Sequence, residues 1–211
     1  MRSDPLIQQV VGYWEALRAG RPAPLRAEVE PRGLEPARDR VFLAERIAPG
    51  TARLRRAGMA LNEIMGMEVR GMPLSAFVAP PDRDAFAATI ERVGAGPVRA
   101  LLQLESLAGP GRPAIAAALA LLPLVNDRDE SPLLLGCLVC DGAIGLPPRR
   151  FSVLSCALIR YAVTAPATRV ERPARRRPTA TDPAAPETPK GLHEAPAPFT
   201  PSPPDLRLVK G

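Results

Sequence analysis

The 211-residue chain is short of the residues on which most enzyme chemistry depends. Its single histidine, His193, lies in a proline-rich stretch near the C-terminus. That placement argues against a multi-histidine metal site, a haem held by an axial histidine and a serine–histidine hydrolase. Both lysines, Lys190 and Lys210, lie in the same region, so neither a Schiff-base lysine nor a phosphate-loop lysine is expected. Aromatic residues make up only 4%, which leaves the core to aliphatic side chains. Three cysteines form no even disulfide framework. The longest apolar run, Ala114 to Val125, contains Pro123 and is well short of the roughly 20 residues a membrane-spanning helix needs. Met1-Arg2-Ser3-Asp4-Pro5 leads into an amphipathic segment, not into the apolar stretch of a signal peptide. A soluble, cytoplasmic protein is expected.

Arginine is abundant. Lys and Arg total 28 against 22 Asp and Glu, a formal charge of +6. Most arginines are scattered among acids, as Arg53, Arg55 and Arg56 are followed by Glu63 and Glu68, which reads as a solvated surface. The tight run Arg175-Arg176-Arg177, with Arg169, Arg172 and Glu171 nearby, has no interleaved aromatics and is a weak phosphate-binding candidate. Nucleic-acid association through this segment stands as the alternative function.

Hydrophobic spacing defines the elements. Leu6, Ile7, Val10, Val11, Trp14 and Leu17 form one helical stripe, with Ser3 or Asp4 as cap, Pro5 in the first turn and Gly20 as stop. Trp14 serves either as a core anchor or as a contact to a partner copy. A proline-rich connector leads to two strands, Val41 to Ile47 and Thr51 to Met59, joined by Ala48-Pro49-Gly50. Short helical pieces follow near Leu61 to Met65 and Met72 to Phe77. A longer helix runs from Pro80-Pro81-Asp82 to about Val93, with Gly94 as its terminal glycine. Pro97 to Leu107, Pro113 to Leu124 and Leu133 to Cys140 then read as an antiparallel meander. Ala114, Ala116, Ala118 and Ala120 give one strand a small-residue face with room for a helix or a ligand. Phe151 to Tyr161 fits either a strand or a short helix. From Val163 on the chain holds 11 prolines in 49 residues and few bulky apolar side chains, a composition expected to stay disordered.

Few motifs point to chemistry. Cys137 and Cys140 form a C-x-x-C, but positions three apart in a strand face opposite ways and cannot converge on one metal. Buried structural thiols are the expectation, and Cys156 stands alone. Gly94-Ala95-Gly96 runs from helix to strand, which presents the wrong helix end to a phosphate. Asp82 and Asp84 suit a helix N-terminus. Asp127, Asp129 and Glu130 suit a hairpin tip and lack the pattern of a calcium loop. Met59, Met65, Met67 and Met72 cluster between the first two strands and the longer helix, as core filler or as the lining of a pocket.

The element order is that of a PAS domain, and residues sharpen the likeness. Tyr13-Trp14-Glu15-Ala16-Leu17-Arg18-Ala19-Gly20-Arg21, with Pro24-Leu25-Arg26 and Glu30-Pro31, resembles the opening of a bacterial family of small stand-alone PAS proteins. Arg53-Leu54-Arg55-Arg56-Ala57-Gly58, with Gly66 and Gly71, is similar to its next block. Leu121-Leu122-Pro123-Leu124 and Leu135-Gly136 resemble its closing strands. The likeness covers about residues 6 to 161. Met59-Ala60 stand where a small polar residue is expected, which argues against a polar ligand contact there.

The resemblance implies an α+β fold: a five-stranded antiparallel sheet with helices packed on one face and a small cavity between. It implies a sensory or regulatory role without catalysis, exercised through a protein partner, with dimerisation through the N-terminal helix. A haem-binding member needs a histidine and a flavin photoreceptor needs a cysteine between residues 60 and 97, and this chain has neither there. Haem, flavin and metal are therefore not expected, and an undefined apolar small molecule or no ligand remains. Expected divisions are a helix over 1–20, a PAS-like domain over 21–162 and a disordered tail over 163–211. Pocket candidates are Met59, Leu61, Met65, Phe77, Leu102 and Leu104. Interface candidates are Val10, Trp14 and Leu17, with a homodimer expected.

Overall fold

Alternating burial along six strands builds the frame. The computed structural model describes residues 4–126 and 132–164. The strands are β1 (Val41–Ala48), β2 (Thr51–Ala57), β3 (Val98–Ser106), β4 (Ile115–Leu124), β5 (Leu133–Asp141) and β6 (Ser152–Arg160). They form one antiparallel sheet in the order β2-β1-β5-β4-β3-β6. The meander of β3, β4 and β5 lies at its centre, as the sequence predicts. The region left open between strand and helix is the sixth strand, at an edge beside β3. The sheet therefore has one strand more than the expected five.

Because β4 and β5 are buried on both sides, each supplies a separate core on each face. On the first face, Leu119 and Leu121 of β4 and Leu134 and Leu138 of β5 pack beneath α2 (Met59–Met65) and α3 (Arg83–Ala95). On the second, Ala120, Leu122, Leu135, Cys137 and Val139 pack beneath α1 (Pro5–Arg18) through Ile7, Val10 and Trp14. The helices α2 and α3 pack on one face as expected, and the separate N-terminal helix α1 lies on the other. Helical periodicity fixes that α1 has an apolar stripe; it does not fix which face of a sheet the stripe covers. The small-residue positions Ala118 and Ala120 receive α1, so the space foreseen above that strand holds a helix. All the described residues, α1 included, lie within one compact unit.

Local signals explain the ends. Asp4 Oδ1 accepts the Leu6 and Ile7 N–H groups at 2.8 and 3.4 Å, so Asp4 is the cap. Ala19 (φ 46°) and Gly20 (φ 81°) turn the chain out in left-handed conformations. The α3 helix proper begins at Arg83 after a single 3₁₀ turn at Pro80–Asp82 and runs through Gly94 to Ala95, one residue past the expected stop. Met59 opens α2 and is not the end of β2. Gly136 leaves room for the tip of the Phe42 ring against β5, since a Cβ there would sit 2.0 Å from Cζ. The tail beyond Thr164, with His193 and Arg175–Arg177, lies outside the described residues, as does the acidic cluster at 127–130.

Candidate functional site

Two places hold the residues singled out in the sequence: the space between the sheet and the α2–α3 layer, and the contact between the sheet and α1.

The first is shut. Phe42, Leu61, Leu74, Phe77, Phe86 and Leu104 are among the side chains around a cavity of only about 10 Å³. That is close to the ~10–15 Å³ needed for a single water, and an apolar lining gives such a water no partners. Of the expected pocket residues, Leu61, Phe77 and Leu104 meet around this void, while Leu102 and Met65 are buried in the same core. Met59 is 60% exposed and takes no part in it. Its position as the first residue of α2 turns it outward.

The second contact is polar at one end. Trp14 is fully buried, and its Nε1–H donates to the Pro123 carbonyl at 2.8 Å. Pairing of β3 with β4 ends at Leu121, so Pro123 breaks no ladder on that side. The Trp14 and Tyr161 rings meet edge to face at 5.2 Å. The Arg18 guanidinium lies 4.5 Å from the Tyr161 ring centre and 5.8 Å from that of Trp14. Arg18 also pairs with Glu15 and donates to the Arg21 and Ala162 carbonyls at 3.0 and 3.1 Å. Glu15 in turn accepts from Arg99 at 3.1 Å. Tyr161 donates to the Pro22 carbonyl, and the Thr164 N–H to the Gly20 carbonyl, both at 2.8 Å. These contacts clasp the end of α1 to the end of β6.

Of the interface candidates, Val10 and Trp14 are buried within the chain's own fold, so neither can meet a partner while α1 is docked. Leu17 keeps part of its surface exposed. Burial pushes the Tyr161 phenol up to about 12, against the lowering effect of Arg18. It likewise pushes the Cys137 thiol to about 12 and the Cys140 thiol to about 11. Those two thiols belong to opposite faces of β5.

Arg18, Arg99, Tyr161 and Arg149 escaped sequence reasoning, because arginine is by default a surface residue. Arg149 is 1% exposed and donates from all three guanidinium nitrogens. Its acceptors are the Ser106 hydroxyl and the carbonyls of Ser106, Ile144 and Pro113. It fastens the loop before β6 to the β3–β4 hairpin. Among the described residues, the only buried side-chain nitrogens without a partner are Nε of Arg18 and Nε of Arg99. Also among the described residues, no three His, Cys, Asp or Glu side chains gather as metal ligands. No helix among them is long and apolar enough to cross a membrane.

Comparison with known proteins adds one finding. A family model described as PAS domain matches residues 1–139, well over half of the chain. The match takes in α1, both helical pieces on the first face and the sheet as far as β5. No curated protein matches the chain.

Proposed function

The chain belongs to the PAS-domain family of sensory and regulatory modules, and from that premise we propose that it acts without catalysis, through contact with a protein partner. One observation carries this reading: the space between the sheet and the α2–α3 layer is closed down to about 10 Å³. An input therefore reaches the fold at its surface and not through a preformed chamber for a small apolar ligand. The responsive element is α1, which covers the second face together with Leu34 and Ala37 of the connector and shares a clasp with the end of β6. A partner that shifts α1 shifts a bistable packing contact, and its differential affinity for the two positions sets the response. A second copy of the chain is one such partner, meeting the flank marked by Leu17.

Native mass spectrometry of the freshly purified full chain tests the reading. The expected result is the bare polypeptide mass or a whole multiple of it. Extra mass that leaves on denaturation would overturn it in favour of a retained small molecule.

A further inference from the structure

A bulge in β2 gathers arginines that strict alternation would separate. Leu43 stands opposite Arg56 and Ala44 opposite Leu54, so Arg55 is an extra residue in the ladder. As a result Arg53, Arg55 and Arg56 are all exposed, while Ala52 and Leu54 are buried in the first-face core. Beside them the segment after α2 runs along the edge of β2, held by Gly71 N–H to the Leu54 carbonyl at 2.8 Å and Leu54 N–H to the Met72 carbonyl at 2.9 Å. Asn62 Oδ1 accepts the Val69 N–H at 3.1 Å and fixes the turn that carries Glu68 and Arg70. Between these elements lies an open groove of about 430 Å³, lined by Arg55, Arg56, Ala57, Asn62, Glu68 and Arg70.

Three guanidinium groups face one carboxylate in this lining. Arg55 is tied to Glu45 from β1. Arg56 and Arg70 are exposed and have no ion pair among the described residues. Exposed Met59 and Met67 adjoin the lining, at 60% and 57%, and Met59 Sδ lies 3.8 Å from Asn62 Nδ2. Planar arginines recognise carboxylates two bonds at a time, and methionines adapt to apolar side chains of varied shape. Among the described residues no aromatic lines the groove, so they offer no stacking platform for nucleic-acid bases.

We propose that this groove docks an acidic peptide segment of a partner protein, with its carboxylates on Arg56 and Arg70 and its apolar side chains on Met59 and Met67. The proposal rests on the reading of the chain as a protein-contact module and names the chemistry of one partner.

Fluorescence anisotropy of a short labelled Glu-rich peptide with interspersed Leu, titrated with the full chain, provides the test. Binding is expected to weaken with added salt, and the double variant Arg56→Glu, Arg70→Glu to lose about tenfold in affinity, the sum of two exposed charge contacts. Both side chains are exposed, so its melting temperature stays that of the parent, and Arg32→Glu on a separate surface leaves binding unchanged. Absence of binding, or equal binding by the double variant, would overturn the proposal. So would a single-stranded oligothymidine that binds through these arginines where the peptide does not. Such a failure combined with a bare native mass removes the groove alone and leaves the protein-contact reading in place.

Discussion

The two faces of the sheet are built to different rules. Beneath α2 and α3 the core holds Phe42, Phe77, Phe86 and Phe151 among leucines, and its remaining void is about 10 Å³. The buried charge on the α2 side, Arg149, finds acceptors for all three nitrogens. On the second face α1 and the 3₁₀ segment Pro31–Ala37 cover the sheet, and the far end of α1 is held by a clasp of charges and rings. There two guanidinium Nε groups are buried without partners. A buried donor left unpaired costs about 1–3 kcal/mol, so the clasp holds α1 with less than its contacts suggest. One face is a foundation. The other is a cover, and on the proposed reading it is the part that shifts.

Substitutions sharpen this contrast. The largest effect is expected for Phe86→Ala, which should remove about 3–5 kcal/mol from the whole domain by cavity formation. Denaturant unfolding followed by several probes should show one transition, shifted throughout. Trp14→Phe deletes a buried hydrogen bond and part of a ring, at about 1–3 kcal/mol. Here the loss should fall on α1, seen as faster amide exchange in residues 6–18 with β4 and α3 little changed. Equal loss of protection everywhere would erase the distinction between foundation and cover.

A smaller change, about 1–2 kcal/mol, is expected for Arg18→Met. It loses the stacking on Tyr161 but also removes an imperfectly satisfied charge. Near neutral pH the smallest effect comes from titration. Folding holds the Cys137 thiol and the Tyr161 phenol neutral up to about 12, against ordinary values of 9.0 and 10.0. Above those ordinary values the unfolded chain binds fewer protons than the folded one. The contribution of these two groups is then constant below about pH 9 and declines as pH rises toward 12. In the same vein, a thiol reagent at pH 8 should modify exposed Cys156 quickly and leave buried Cys137 unmodified until the domain opens.

What could be read from the sequence tracks how strongly one face of each element is buried. The meander was legible because β3 alternates cleanly and short polar turns join it to β4 and β5. In β6 no residue is fully buried, since it is an edge strand, and the pattern there could not decide strand from helix. The stripe on α1 was plain, but its destination depends on Ala118 and Ala120 of a strand more than a hundred residues later. Leu61, Phe77 and Leu104 lie around one void, but its size depends on how the Phe42 and Phe86 rings fill it, which no pattern in the sequence reports. The bulge at Arg55 was invisible because it is a property of pairing with β1 and not of β2 alone.

The most direct test of the account is native-state hydrogen exchange on the full chain, resolved by segment. If α1 is a cover that can shift, its amides exchange through a local opening of lower free energy than the amides of α3 and β4, which exchange only on global unfolding. Exchange of α1, α3 and β4 with a single common free energy would contradict it, and the second face would then be as fixed as the first.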